Sequence, residues 1–219
     1  MLRPSGGSIS ESLTRRAVER AVAGRHASYA DELQRIVDAT YRVIERSGTV
    51  DPTLRDILRE CGLSTQAFYR YFTSKDELLL VLLDDGSRLL LGYLTHRMER
   101  AADAEGRIRA WIAGVLAQAA DEDAARRTRP FVANEARLAE RFPAEQQASV
   151  DLLAGLLVAP ICELGGRRRA DARRDADAIY HLAFGALRRH LTRGTAPARA
   201  EIEHLARFAL RGVGPRPGA

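Results

Sequence analysis

Between Ser64 and Glu77 the chain reads S-T-Q-A-F-Y-R-Y-F-T-S-K-D-E, a run rich in groups that bond to nucleic acid. Thr65 offers a hydroxyl, Gln66 an amide, Tyr69 a phenol and Arg70 a guanidinium. An amide can pair bidentately with adenine, and a guanidinium can reach guanine or a phosphate. A phenol can donate to a phosphate or pack on a thymine methyl. Lys75 follows, the only lysine among 34 lysines and arginines. Phe68, Tyr69, Tyr71 and Phe72 crowd into the same run, although aromatics are 6% of the chain.

These groups need a scaffold, and the flanking residues supply one. From Asp31 to about Ser47 the positions Leu33, Ile36, Val37, Thr40, Val43 and Ile44 follow the spacing of one helical face, which Gly48 ends. Thr53 can cap a second helix, with Asp56 three residues on. Its inner face is Leu54, Ile57, Leu58 and Cys61. Gly62 and Leu63 make a tight turn, and Ser64 can cap a third helix from Thr65 to about Tyr71. Phe68 and Phe72, at i and i+4, then share a face with Leu63 and point at Ile57 and Leu58. Thr65, Gln66, Tyr69 and Arg70 are left pointing outward. Two short helices joined by a glycine turn are a helix-turn-helix pattern, whose second helix enters the DNA major groove. Ser74 and Glu77 fit a capping box that starts a fourth helix running towards residue 100. Lys75 lies in its first turn, where a cation is disfavoured by the dipole and a bound phosphate compensates. Tyr71 is read with Tyr69 as a phosphate or groove contact.

The rest of the composition narrows the class. A hydrophobic share of 46% is ordinary for a folded chain, and a net charge of +5 permits an anionic partner. Charge is nearly balanced over residues 1–80, against a binder that relies on phosphate charge alone. Cys61 and Cys162 lie far apart and read as free thiols of a reducing cytoplasm. The first residues lack the apolar core of a signal peptide, and no run of 18 uncharged apolar residues suggests a membrane span. The histidines are scattered, and no metal, nucleophile-elbow, P-loop or dinucleotide motif appears. The expectation is therefore no enzyme, no metal and no cofactor.

Residues 1–10 read as disordered, and 11–24 as either a basic arm (Arg15, Arg16, Arg20, with Arg25 beyond) or a frayed tail. Further amphipathic helices are expected near 105–120, 129–141, 144–164, 172–193 and 198–212. Gly106, Pro143, GGRRR and GTAP punctuate them. The arginine runs 126–129 and 167–174 read as solvated loops or helix ends. No alternating strands are seen, so the fold class is all-α.

From Thr53 to Leu79 the segment TLRDILRECGLSTQAFYRYFTSKDELL resembles the signature of the TetR family of bacterial transcriptional regulators almost position by position. It departs at Leu58, where alanine is usual, and at Arg70-Tyr71, where tyrosine/histidine combinations are common. The resemblance implies an N-terminal three-helix helix-turn-helix DNA-binding domain over 29–75, after an extension over 1–28. A larger helical domain over 76–219 would bind a small-molecule effector and form a homodimer. Base-facing residues would be Thr65, Gln66 and Tyr69. Phosphate contacts would fall to Thr53, Arg55, Arg70, Tyr71 and Lys75, with Ser64 at the start of the recognition helix. The implied partner is a palindromic double-stranded operator, released on effector binding.

Pairing is expected through 172–193, along Ile179, Leu182, Ala183, Ala186, Leu187, His190 and Leu191, and through 198–212, along Ile202, Leu205, Ala206, Phe208, Ala209 and Leu210, with ordinary core within the chain as the alternative that the residues alone leave equal. Ala183, Gly185 and Ala186 permit close approach. Candidate effector contacts are Tyr93, Trp111, Val115, Phe131, Leu138, Leu157, Cys162, His181 and Phe184, each with core packing as its alternative.

Overall fold

Local signals start and stop the helices much as their chemistry demands. In a computed structural model of the chain, residues 29–47, 52–166 and 168–214 are described. The expected N-terminal arm, Gly48 and the C-terminal tail lie outside them. Helix α1 covers 29–47, α2 Leu54–Cys61, α3 Thr65–Phe68 and α4 Lys75–Glu99. They are followed by α5 Ala104–Ala120, α6 Glu122–Arg141, α7 Pro143–Gly165, α8 Arg169–Arg193 and α9 Arg199–Val213. No strand occurs among the described residues, in keeping with an all-α class.

Two apolar clusters organise the chain. The smaller gathers Ile36 and Val37 of α1, Ile57 and Cys61 of α2, Phe68, Phe72, and Leu78, Leu79 and Leu82 of α4. Leu138 of α6 completes it, so this core does not stop at residue 75. The larger is built on α5, α7, α8 and α9 around Trp111, whose Nε1–H donates to the Leu153 carbonyl at 3.1 Å.

Several expectations need correction. The 126–129 arginine run is not a loop but sits inside α6, which begins at Glu122. Asp121 caps that helix through the Ala124 amide, and Arg126 pairs with Glu122 one turn earlier. Pro130 lies inside it and forfeits one backbone bond without ending the helix. Residues 169–174 form the first turns of α8 with Arg169, Arg173 and Arg174 exposed, the helix-end alternative of the two. Gly106 lies inside α5, where its amide meets the Asp103 cap at 2.7 Å. Helix α7 is long and apolar enough by composition to cross a bilayer, although Glu145, Asp151 and Glu163 leave it no uncharged run of 18 residues. Its Val150, Leu153, Leu157 and Ile161 pack into the larger cluster.

The α8 stripe assigned to a second subunit is also corrected. Ile179, Ala183, Ala186, Leu187, His190 and Leu191 are buried in the chain's own core. Periodicity shows that a helix has an apolar face, not which partner covers it. On the opposite face Gly185 has open space where a Cβ would stand, and Phe208 of α9 is 63% exposed.

Candidate nucleic-acid interface and adjoining cavity

The helix-turn-helix is assembled from two hydroxyl caps and one glycine. Thr53 Oγ1 accepts from the Asp56 amide at 3.2 Å and starts α2. Gly62 ends it in the left-handed region at φ 67°, where a side chain is strained, and donates to the Leu58 carbonyl. Ser64 Oγ accepts from the Ala67 amide at 3.1 Å and starts α3. This helix is shorter than expected, Thr65–Phe68, and tightens into turns that carry the chain to Phe72. Phe68 and Phe72 are almost fully buried, their rings 5.2 Å apart.

The outer face is arranged as the periodicity requires. Thr65, Gln66, Tyr69 and Arg70 are exposed. Tyr69 is 56% exposed, with its ring edge-on to Phe68. Ala67 is buried, so it offers no side-chain surface. Thr53 and Arg55, at the start of α2, are exposed.

One residue that sequence reasoning missed organises this face. Glu32 of α1 accepts from Arg70 Nη2 at 3.0 Å and from the Tyr71 hydroxyl at 2.8 Å. Tyr29 meets the Tyr71 ring edge-on. Burial and the bond to Glu32 push the Tyr71 hydroxyl pKa up. Arg70 and Tyr71 are therefore held in place from α1 before any ligand arrives. Nothing in the local pattern signals Glu32, which lies more than 35 residues upstream.

Ser74 caps α4 through the Glu77 amide at 3.2 Å. Glu77 reaches back one residue further than a standard box, to the Thr73 amide and hydroxyl. Those bonds hold its carboxyl below the usual range. Lys75 is the first residue of the 25-residue α4, half-buried at the end nearest α3. Next to it, buried Asp76 accepts from Arg141 of α6 at 2.7 Å, tying α6 to the start of α4.

A cavity of about 810 Å³ opens between the two clusters. Of the candidate effector contacts, Tyr93, Phe131 and Phe184 line it. Trp111, Val115 and Leu157 do not; they fill the larger core, with Cys162 packed against it. Leu138 belongs to the smaller cluster, and His181 is exposed beside Asp177. The missed lining includes Tyr41 of α1, Leu83, Arg127, Glu135 and Arg188. Burial pushes the Tyr41 hydroxyl up to about 12. Tyr180 stacks on Phe184 with centroids 4.1 Å apart, and burial raises its pKa too. The walls thus join aromatic surface to a few charged groups, the usual make-up of a small-molecule pocket. Among the described residues no cluster of three or more metal-ligating side chains occurs.

Comparison with known proteins places this geometry in a family. Residues 36–82 match the model of "Bacterial regulatory proteins, tetR family". The chain is 35% identical over 83 residues to the nicotine-responsive transcriptional repressor HdnoR of Paenarthrobacter nicotinovorans, covering 38% of this chain and 41% of that protein. It is 30% identical over 89 residues to an uncharacterized HTH-type regulator of Haemophilus influenzae, covering 40% and 43%. These matches thus span less than half the length of the curated relatives. Solved structures cover more. A TetR transcription regulator from Haloarcula marismortui superposes with a TM-score of 0.59 at 20% identity, over 83% of this chain and 96% of that one. A transcriptional regulator from Rhodococcus gives 0.62 at 20% identity, over 82% and 96%. At that identity the likeness speaks to the fold. The N-terminal helices thus match the TetR-family model over residues 36–82, and the chain shares the fold of TetR-family regulators along most of its length.

Proposed function

We propose that the chain is a cytoplasmic, homodimeric DNA-binding transcriptional regulator, a repressor that a small molecule releases from a palindromic operator. The observation that carries this is the outer face of α3, where Thr65, Gln66, Tyr69 and Arg70 stand exposed above a buried Phe68–Phe72 anchor. Gln66 and Tyr69 read base edges, with Thr65 beside them. Arg55, Arg70, Tyr71 and Lys75 hold phosphates, with Thr53 and Ser64 at the helix starts beside them. Two copies would set their recognition helices ~34–36 Å apart in successive major grooves. The outer faces of α8 and α9, with Gly185 and Phe208, are the surface proposed for pairing.

The cavity supports release. Tyr41 and Leu83 of its wall pack against the smaller cluster, whereas Tyr180 and Phe184 belong with the larger body. A ligand that fits one relative placement of the two better than another shifts the population toward it, and so changes the spacing of the recognition helices. The relatives are regulators, and the site carries DNA-directed groups in place of a catalytic constellation, so an enzymatic role is not part of the reading.

Fluorescence anisotropy with duplexes from the DNA upstream of the chain's own coding sequence, across a salt series, tests the proposal. Selective binding over a scrambled duplex is expected. Lys75→Ala should weaken binding to all sequences and lower the salt slope by about one. Equal affinity for operator and scrambled duplex overturns the regulator reading.

A further inference from the structure

The main cavity does not stand alone. A second cleft, of about 500 Å³, shares Val132 of α6 and Arg188 of α8 with it. This cleft adds Arg129 of α6 and Thr192 and Arg193 at the end of α8. Its guanidinium groups are poorly matched by carboxylates. Arg188 pairs with Glu135. Among the described residues Arg129 and Arg193 have no acidic partner, and the buried Nε of Arg129 has no hydrogen-bond acceptor.

The larger cavity adds one guanidinium of its own. Each acidic side chain in its wall is engaged by the protein. Asp121 accepts from the Ala124 amide at 2.8 Å, Asp123 lies 3.7 Å from Arg126, and Glu135 holds Arg188. Arg127, also in the wall, has no ion-pair partner among the described residues. The second cleft thus carries the guanidinium groups of Arg129 and Arg193 without acidic partners among the described residues, Val132 and Arg188 join it to the larger cavity, and the aromatic wall lies on the larger cavity's side.

We propose that the two spaces form one site for an amphipathic anion, with a phosphate-type head among Arg129, Arg188 and Arg193 and an apolar body along Phe131 and the stacked Tyr180–Phe184 pair. This rests on the reading of the cavity as the effector site and names the ligand's class. Guanidinium forks match phosphate oxygens bidentately. A buried N–H without an acceptor is costly, and a ligand oxygen seated there removes that cost. The aromatic wall supplies the apolar area that a bare anion cannot use.

The test is calorimetric titration of the intact protein, without DNA, with octyl phosphate, octanol, inorganic phosphate and octyltrimethylammonium. Octyl phosphate should bind tighter than octanol and than inorganic phosphate by about tenfold or more, and the cation should not bind. Arg129→Gln and the exposed Arg193→Gln should each weaken octyl phosphate by about tenfold and leave octanol unchanged. The proposal fails if octanol or the cation matches octyl phosphate, if inorganic phosphate alone binds as tightly, if no probe binds, or if both variants keep wild-type affinity. DNA binding measured separately keeps the two readings apart. A protein that takes octyl phosphate but ignores its upstream DNA sinks the regulator reading alone. One that binds the DNA but prefers octanol sinks this proposal alone.

Discussion

The helices around Phe68 and the helices around Trp111 are secured by different means. Helices α2 and α3 have 8 and 4 residues, far too short to persist alone, and each begins with a hydroxyl cap. Helices α7, α8 and α9 have 23, 25 and 15 residues, and none has a side-chain cap bond. They are held by the faces they bury, Leu153, Leu157 and Ile161 on α7 and Ala183, Leu187 and Leu191 on α8. The helix-turn-helix is thus specified at its helix ends and α7, α8 and α9 along their faces, whereas α5 and α6 begin with the Asp103 and Asp121 caps. Exposed recognition residues need a rigid support with little area to pack, and caps provide it locally. A body that holds a cavity needs long elements that can shift while staying buried.

The sharpest way to break this contrast is to remove a large side chain from the core of the small unit. Phe68→Ala opens a cavity in its centre and should cost about 3–5 kcal/mol, read by urea denaturation, with loss of operator binding. Retention of wild-type stability would mean that the caps alone carry the unit. Gln66→Ala should act in the opposite manner. It should lose about 1–3 kcal/mol of discrimination between operator and mismatched duplexes. Its melting temperature should stay at the wild-type value, because the side chain is exposed.

A paired cap experiment tests the contrast directly. Ser64→Ala should destabilise the protein by about 1 kcal/mol and weaken DNA binding. Arg168→Ser, which adds a capping hydroxyl where α8 begins, should change stability by less than about 0.5 kcal/mol, since burial already holds that helix. Equal effects of the two changes would erase the distinction.

The smallest expected effect is a pH dependence. Glu60 of α2 bonds to Arg42 and Arg46 of α1 at 2.9 and 2.8 Å, and those bonds hold its carboxyl below the usual range. Its folded-state pKa lies below its unfolded value. The stabilisation is therefore present above the ordinary glutamate range and lost as pH falls through the folded value. The thermal-melt difference between wild type and Glu60→Gln should shrink on acidification and be widest near neutrality.

The small unit was readable because its causes are close together in the chain. Thr53, Ser64 and Ser74 each bond an amide three residues on, and Phe68 and Phe72 share a face by spacing alone. Glu32 escaped notice because its partners lie 38 and 39 residues away. In the body, Tyr93, Phe131 and Phe184 lie in the wall of the cavity, whereas Trp111, Val115 and Leu157 belong to solid core. Large apolar side chains on helices serve equally well to line a space or to fill one.

By itself the sequence determined which hydroxyls start the helices around Ser64, and which side of α3 faces outward. These follow from bonds between near neighbours and from helical periodicity, which the order of residues contains. Only the tertiary structure decided that the α8 stripe covers its own core, that Tyr41 closes the wall of a cavity, and that Arg129, Arg188 and Arg193 converge. Those outcomes depend on how α1, α6 and α8 are placed across the molecule, and an amphipathic face carries no address for its partner.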